Sequence, residues 1–104
     1  MEPLREALAP RAADIRAAFV YGSAASGADR AGSDIDVMVL SDTLGYPDIY
    51  EALQPAERML GRPVNPTVLA TAEWRTKRGD TGSFVSRVMA TPRLFVLGSD
   101  DDLA

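Results

Sequence analysis

Apolar positions recur along the chain with two different periods, and the period switches from segment to segment. Leu4, Ala7 and Leu8, with Ile15 further on, mark one helical face. Pro3 suits a first helical turn, and Pro10 ends or kinks that helix. Residues 18–21 (AFVY) read as a short apolar strand. Residues 22–33 (GSAASGADRAGS) are too small and polar for core. They read as a turn, a short helix opening at Ser23, and a loop. Residues 34–40 (DIDVMVL) give the clearest strand. Ile35, Val37 and Val39 alternate with Asp34, Asp36, Met38 and Leu40, so both carboxylates point to one face.

Residues 46–60 read as a helix, with Ile49, Leu53, Ala56 and Leu60 on one face. Pro47 sits near its start and Gly61 follows its end, while Pro55 inside it predicts a kink. Residues 63–69 (PVNPTVL) read as a strand interrupted by Pro66. A proline removes a ladder donor, so this strand belongs at a sheet edge. Thr71 is placed to cap a short helix over 72–78. A further helix over 83–90 directs Phe84, Val85, Val88 and Met89 inward, and residues 93–97 (RLFVL) form a last strand. Alternating helices and strands predict an α/β domain. Residues 1–98 are read as that domain and residues 99–104 as a disordered acidic tail.

Composition narrows the chemistry. A chain of 104 residues fits one domain. It contains no cysteine and no histidine. Thiol nucleophiles, disulfides, structural zinc and histidine bases are thereby excluded. What remains is carboxylates, hydroxyls, arginines, backbone amides and a borrowed cation. The net charge is -4, from fifteen acids and eleven bases. Three of the acids are Asp100, Asp101 and Asp102, so the body is close to neutral. That argues against broad nucleic-acid binding. No apolar run approaches the roughly 20 residues of a membrane span. The first ten residues also lack the basic and apolar blocks of a signal peptide. A soluble, cytoplasmic protein is expected.

The informative segment is Gly22-Ser23, ten residues, then Asp34-Ile35-Asp36. A lone Gly-Ser is an ordinary turn, and a lone DxD is ordinary solvated charge. Together they say more. Gly-Ser follows a strand where a helix opens, and free amides there make an anion site. The two aspartates share a face of the next strand and repel each other unless a divalent cation sits between them. Oxygen ligands with phosphate co-ligands suit magnesium.

This segment resembles the signature of the minimal nucleotidyltransferases, small members of the polymerase-β-like superfamily: G-S, ten residues, D-x-D. The likeness extends to the AFVYGS lead-in, the SDIDVMVL strand, the GRPVN segment and the final RLFVLG strand. It implies a mixed sheet of about four strands packed with helices. It further implies two magnesium ions held by Asp34 and Asp36, with the triphosphate on Gly22 and Ser23. An acceptor hydroxyl would attack the α-phosphate of ATP or another NTP and release pyrophosphate. By the same resemblance the acceptor lies on a HEPN-type toxin, with this chain as the antitoxin.

One position departs from the pattern. The family usually supplies a third carboxylate from the strand after the long helix, and here Asn65 stands in its place. Asparagine offers an oxygen to a cation but cannot take a proton. Two readings follow: a transferase with an incomplete carboxylate set, or a catalytically weak nucleotide-binding module. The Asn-Pro-Thr form of this strand also resembles nucleotidyltransferase domains that follow a winged-helix DNA-binding domain in some bacterial regulators.

Weaker candidates complete the reading. Arg30 is placed to reach a phosphate from the loop, and Ser33 to orient it. Arg75, Lys77 and Arg78 cluster on one helix and read first as an exposed basic face. Trp74 reads as a half-buried packing residue before a base platform, and Tyr21 as packing under the Gly-Ser turn. Asp29 and Asp42 read as surface charge, with Asp42 the better candidate for a supporting role beside the carboxylates. Edge strands on a small body make a homodimer plausible.

Overall fold

The alternation along residues 34–40 divides the protein into two layers. In the computed structural model, which describes residues 2–22, 25 and 34–103, Ile35–Leu40 forms strand β2. Ile35, Val37 and Val39 are fully buried on one face with Leu4, Leu8, Val20, Ile49 and Leu53. Met38 and Leu40 are buried on the other with Phe19, Trp74, Val85, Val88 and Leu103. Each such apolar side chain contributes about 1.5–3 kcal/mol on leaving water. Both faces of the strand are therefore committed, and a slip of one residue would exchange them.

The other strands are β1 (Ala17–Tyr21), β3 (Val64–Leu69) and β4 (Arg93–Leu97). The four form one sheet in the order β3-β2-β1-β4. β1 runs antiparallel to both β2 and β4, and β2 runs parallel to β3. A parallel pair needs a crossover. Helix α2 (Tyr46–Leu60) supplies it, burying Ile49, Leu53 and Ala56. Asp48 accepts a 3.0 Å bond from the Gly45 amide at its start, and Gly61 closes it. The helix runs uninterrupted through Pro55, which is exposed. β3 lies at the edge, as Pro66 requires.

Helix α1 (Glu2–Leu8) gives way to a 3-10 turn, Ala9–Asp14, at Pro10. It lies with α2 on the first face. Helices α3 (Thr71–Arg78) and α4 (Phe84–Met89) cover part of the second. No helix among the described residues is long and apolar enough to cross a membrane.

Three local expectations change. Thr71 is the first residue of α3, not its cap. Its amide (2.8 Å) and hydroxyl (3.0 Å) donate to the Asp42 carboxylate, which satisfies the helix end from just beyond the neighbouring strand β2. Ser83 is the cap of α4 and accepts from Ser86 N at 3.2 Å. Phe84, expected inward, is 41% exposed.

The end of the chain departs furthest. Asp100–Leu103 is a 3-10 turn, not a frayed tail. Leu103 is 1% exposed in the second core layer. Its carbonyl accepts from Trp74 Nε1 (3.0 Å) and Arg78 Nη1 (2.7 Å), and the Asp102 carbonyl accepts from Arg16 Nε at 2.7 Å. Three acids in a row suggest solvent, but the leucine behind them has an apolar site and its backbone has fixed donors.

Gly98 makes this return possible. Its φ is +78°, and a Cβ there would lie 2.8 Å from Asp102 Oδ2 and 3.1 Å from the Arg16 carbonyl. Gly98→Ala is expected to cost about 1–3 kcal/mol, from the positive φ and the backbone clash together. That corresponds to a fall of at least roughly 4 °C in Tm by circular dichroism. Gly22→Ala shares a positive φ of +75° but meets nothing within 4 Å. It should lose less, and equal losses would show that crowding at Gly98 is unimportant.

Candidate active site

Three strand ends meet at one edge of the second sheet face. Tyr21 ends β1, Asp34 and Asp36 bracket the start of β2, and Asn65 lies near the start of β3. The registers pair Tyr21 with Asp36 and Asp36 with Asn65. Asp34 and Asp36 share the face of Met38 and Leu40, as their spacing requires. Core helices cover that face further along, so the aspartates stand where the cover stops.

Asn65 Nδ2 donates to Asp34 Oδ2 at 2.8 Å. The direction is forced, because an amide nitrogen only donates. The amide oxygen remains an acceptor. The Asp36 carboxyl is held above the usual aspartate range, first by partial burial and then by the charge of Asp34. The Tyr21 hydroxyl is also pushed up, mainly by burial. A hydrogen bond with the Thr67 side chain opposes the shift, and the charge of Asp36 adds to it.

Two crowded carboxylates, one disfavoured as an anion, form a hard-oxygen donor pair that a divalent cation would relieve. The residues present fit such an ion. Among the described residues no group of three acids, cysteines or histidines is placed to hold a metal. Asn65 stands where a third acid would complete one, which places the departure noted in the sequence beside the carboxylates.

Gly22 carries a positive φ of +75° directly after β1, and its carbonyl accepts from the Ala25 amide at 3.2 Å. Only glycine holds that backbone without strain. Ser23, Arg30, Ser33 and Asp29 lie outside the described residues.

Other candidates are placed elsewhere. Asp42 follows β2 at the end opposite Asp36, so it cannot support the carboxylates. Its two bonds to Thr71 hold its carboxyl below the usual range, with Arg16 and Arg75 adding to the effect. Trp74 is fully buried and edge-on to Phe19 at 6.0 Å, closed to any base. Lys77 pairs with Glu73 at 4.0 Å, and Arg78 donates to Leu103.

Sequence reasoning passed over Thr67 and gave Phe84 the wrong side. Thr67 stands two residues after Asn65 on the same strand, so the period of two already aims it at the site. Phe84 had no such signal; its ring meets Tyr21 edge-on at 6.1 Å only because α4 folds back over β1.

Comparison with known proteins bears on this geometry. No curated protein is similar enough to count as a match. A chain from the crystal structure of a toxin-antitoxin with AMP-PNP superposes with a TM-score of 0.66 at 20% identity, over 97% of this chain and 75% of that one. At that identity the likeness is one of fold, and it agrees with the expected mixed four-stranded α/β sheet. The model of the family described as polymerase beta, nucleotidyltransferase matches residues 4–75, which include both aspartates and Asn65. With most of its length so matched, the chain belongs to the polymerase beta nucleotidyltransferase family.

Proposed function

We propose that this chain is a cytoplasmic, magnesium-dependent nucleotidyltransferase that moves AMP from ATP onto a hydroxyl of a partner toxin protein. The observation that carries the reading is the Asp34–Asp36 pair on one sheet face, with Asn65 bonded to it. The toxin-antitoxin neighbour with AMP-PNP supports both the nucleotide and the kind of partner.

The reaction forms a bond from the acceptor oxygen to the α-phosphorus and breaks the bond to the leaving pyrophosphate. The acceptor hydroxyl loses its proton to solvent water. Asp34 and Asp36 would hold magnesium, which when bound neutralises phosphate charge and the repulsion between the two carboxylates. Gly22 and Ser23 would hold the triphosphate through their amides and the serine hydroxyl, with Arg30 and Ser33 assisting. Phosphoryl-type transfer depends on position and charge, so a site without histidine suffices. Asn65 cannot receive the acceptor proton. Its amide instead donates to Asp34, which makes that carboxylate a weaker donor to a cation.

That bond favours a second reading, in which the chain binds nucleotide but regulates a winged-helix or other partner rather than turning over. One comparison separates the two. Wild type and Asn65→Asp are given labelled ATP and magnesium, and AMP incorporation and pyrophosphate release are followed. The transferase reading expects slow wild-type turnover and an increase of at least about 100-fold in the variant, the lower end of the roughly 10²–10⁴ range of a positioned base. Equal rates would show that the missing acid is unimportant. No release by wild type would leave the regulatory reading.

A further inference from the structure

We infer that Phe84 is the platform on which the nucleobase stacks, and that the site selects purines over pyrimidines by stacking area with little distinction between adenine and guanine. The inference rests on the nucleotide-binding reading above and deepens it.

Phe84 opens α4 with 41% of its surface exposed, on the same sheet face as the aspartates. Its ring packs edge-on against Tyr21 at 6.1 Å and 77°. Tyr21 is the direct cross-strand partner of Asp36. One side-chain pair therefore separates the carboxylates from Phe84. In a nucleotide held by its phosphates at the aspartates, the ribose bridges a gap of that kind. Tyr21 is held from behind by Phe19 at 6.2 Å, so the platform is backed by the core. An exposed phenylalanine on such a base costs little to order when it stacks.

Among the described residues, the polar side chains on Tyr21, on its ladder partner Arg93 and on the first turn of α4 each hold a partner. The Tyr21 hydroxyl is bonded to Thr67. Arg93, across the ladder from Tyr21, donates to the Met89 and Thr91 carbonyls and to Asp100. Arg87 donates to the Gly82 carbonyl, Ser83 Oγ to the Lys77 carbonyl and Ser86 Oγ to the Asp80 carbonyl. A base-edge contact by one of these side chains would compete with the partner it already holds. Stacking competes with none of them, and every base offers a π face, with purines offering more area.

Calorimetry in magnesium with ATP, GTP, CTP and tripolyphosphate tests this on wild type, Phe84→Ala, Phe84→Leu and Phe84→Trp. Phe84→Ala and Phe84→Leu should weaken ATP and GTP roughly 5- to 100-fold, the range of one lost base stack. Phe84→Trp should retain or tighten them. Tripolyphosphate should bind all four proteins alike, and wild type should bind ATP and GTP alike and CTP more weakly. Phe84→Leu keeps an apolar residue on the helix, and its melting temperature and its tripolyphosphate affinity, read beside the loss for ATP, separate lost stacking from unfolding. Wild-type affinity for ATP in Phe84→Leu would overturn the inference while leaving the nucleotide-binding reading intact. Tripolyphosphate weakened in step with ATP would also overturn it. Wild type binding no nucleotide at all would remove the underlying reading together with the inference.

Discussion

Replacing Asp34 and Asp36 together by alanine is expected to abolish magnesium-dependent ATP binding and to leave the protein folded. The two carboxylates share a sheet face, with Asn65 bonded to the first and in register with the second. They contribute no packing, and the core beneath them is made by Phe19, Met38 and Leu40. In the metal-free protein the charge on Asp36 opposes the fold. Asp36 is raised above its usual range by burial and by Asp34, so the native state favours its protonated form. Stability from that group is present at low pH. It is lost as the pH rises from the ordinary aspartate range through the raised value. Asp36 is only partly buried, so solvent screening keeps the effect small. The metal-free variant should therefore melt close to metal-free wild type at neutral pH, the relief at Asp36 offsetting the lost Asn65–Asp34 bond. Magnesium with ATP should raise the melting temperature of wild type alone. Unchanged magnesium-dependent ATP binding in the double variant, by calorimetry, would sink the assignment of these residues.

Trp74→Ala is expected to be the most destabilising single change among those considered. Trp74 is fully shielded, touches Phe19, and donates its indole N–H to Leu103. Truncating so large a buried side chain costs about 3–5 kcal/mol. That is a large part of the margin of a domain this size and corresponds to a fall of at least about 12 °C in Tm. Ending the chain after Gly98 should act on the same place. It removes Leu103 from the core and leaves Trp74 Nε1 without its acceptor. A buried donor so orphaned costs about 1–3 kcal/mol in addition to the lost apolar burial. Thermal unfolding of the shortened chain decides the matter. If it melts with wild type, residues 99–104 are the loose acidic tail that their composition suggests. If it melts well below, they are part of the fold.

How far each element was legible follows from where its determinants lie. α2 runs over the expected residues because Pro47, the four apolar positions and Gly61 all lie within it or next to it. β4 and the edge position of β3 were equally readable, the latter from Pro66 alone. Thr71 misled because its acceptor, Asp42, lies 29 positions away in sequence. Phe84 misled because a six-residue helix has too few turns to show which side is covered. The last residues misled because charge density is local, whereas the site that receives Leu103 is built by β1, β2, α3 and α4 together.

The candidate site divides along the same line. Its chemistry was contained in the chain: no histidine or cysteine, two aspartates at a spacing that sends them to one face, and a glycine turn before them. Short-range periodicity suffices for this, because a β-strand alternates its side chains whatever it pairs with. Only the folded sheet put Asn65 against Asp34, Tyr21 beside Asp36, and Phe84 over Tyr21. It also moved Asp42 to the far end and closed Trp74 to ligands. Those placements depend on register and crossover, which form when segments distant in sequence bury their apolar faces against one another.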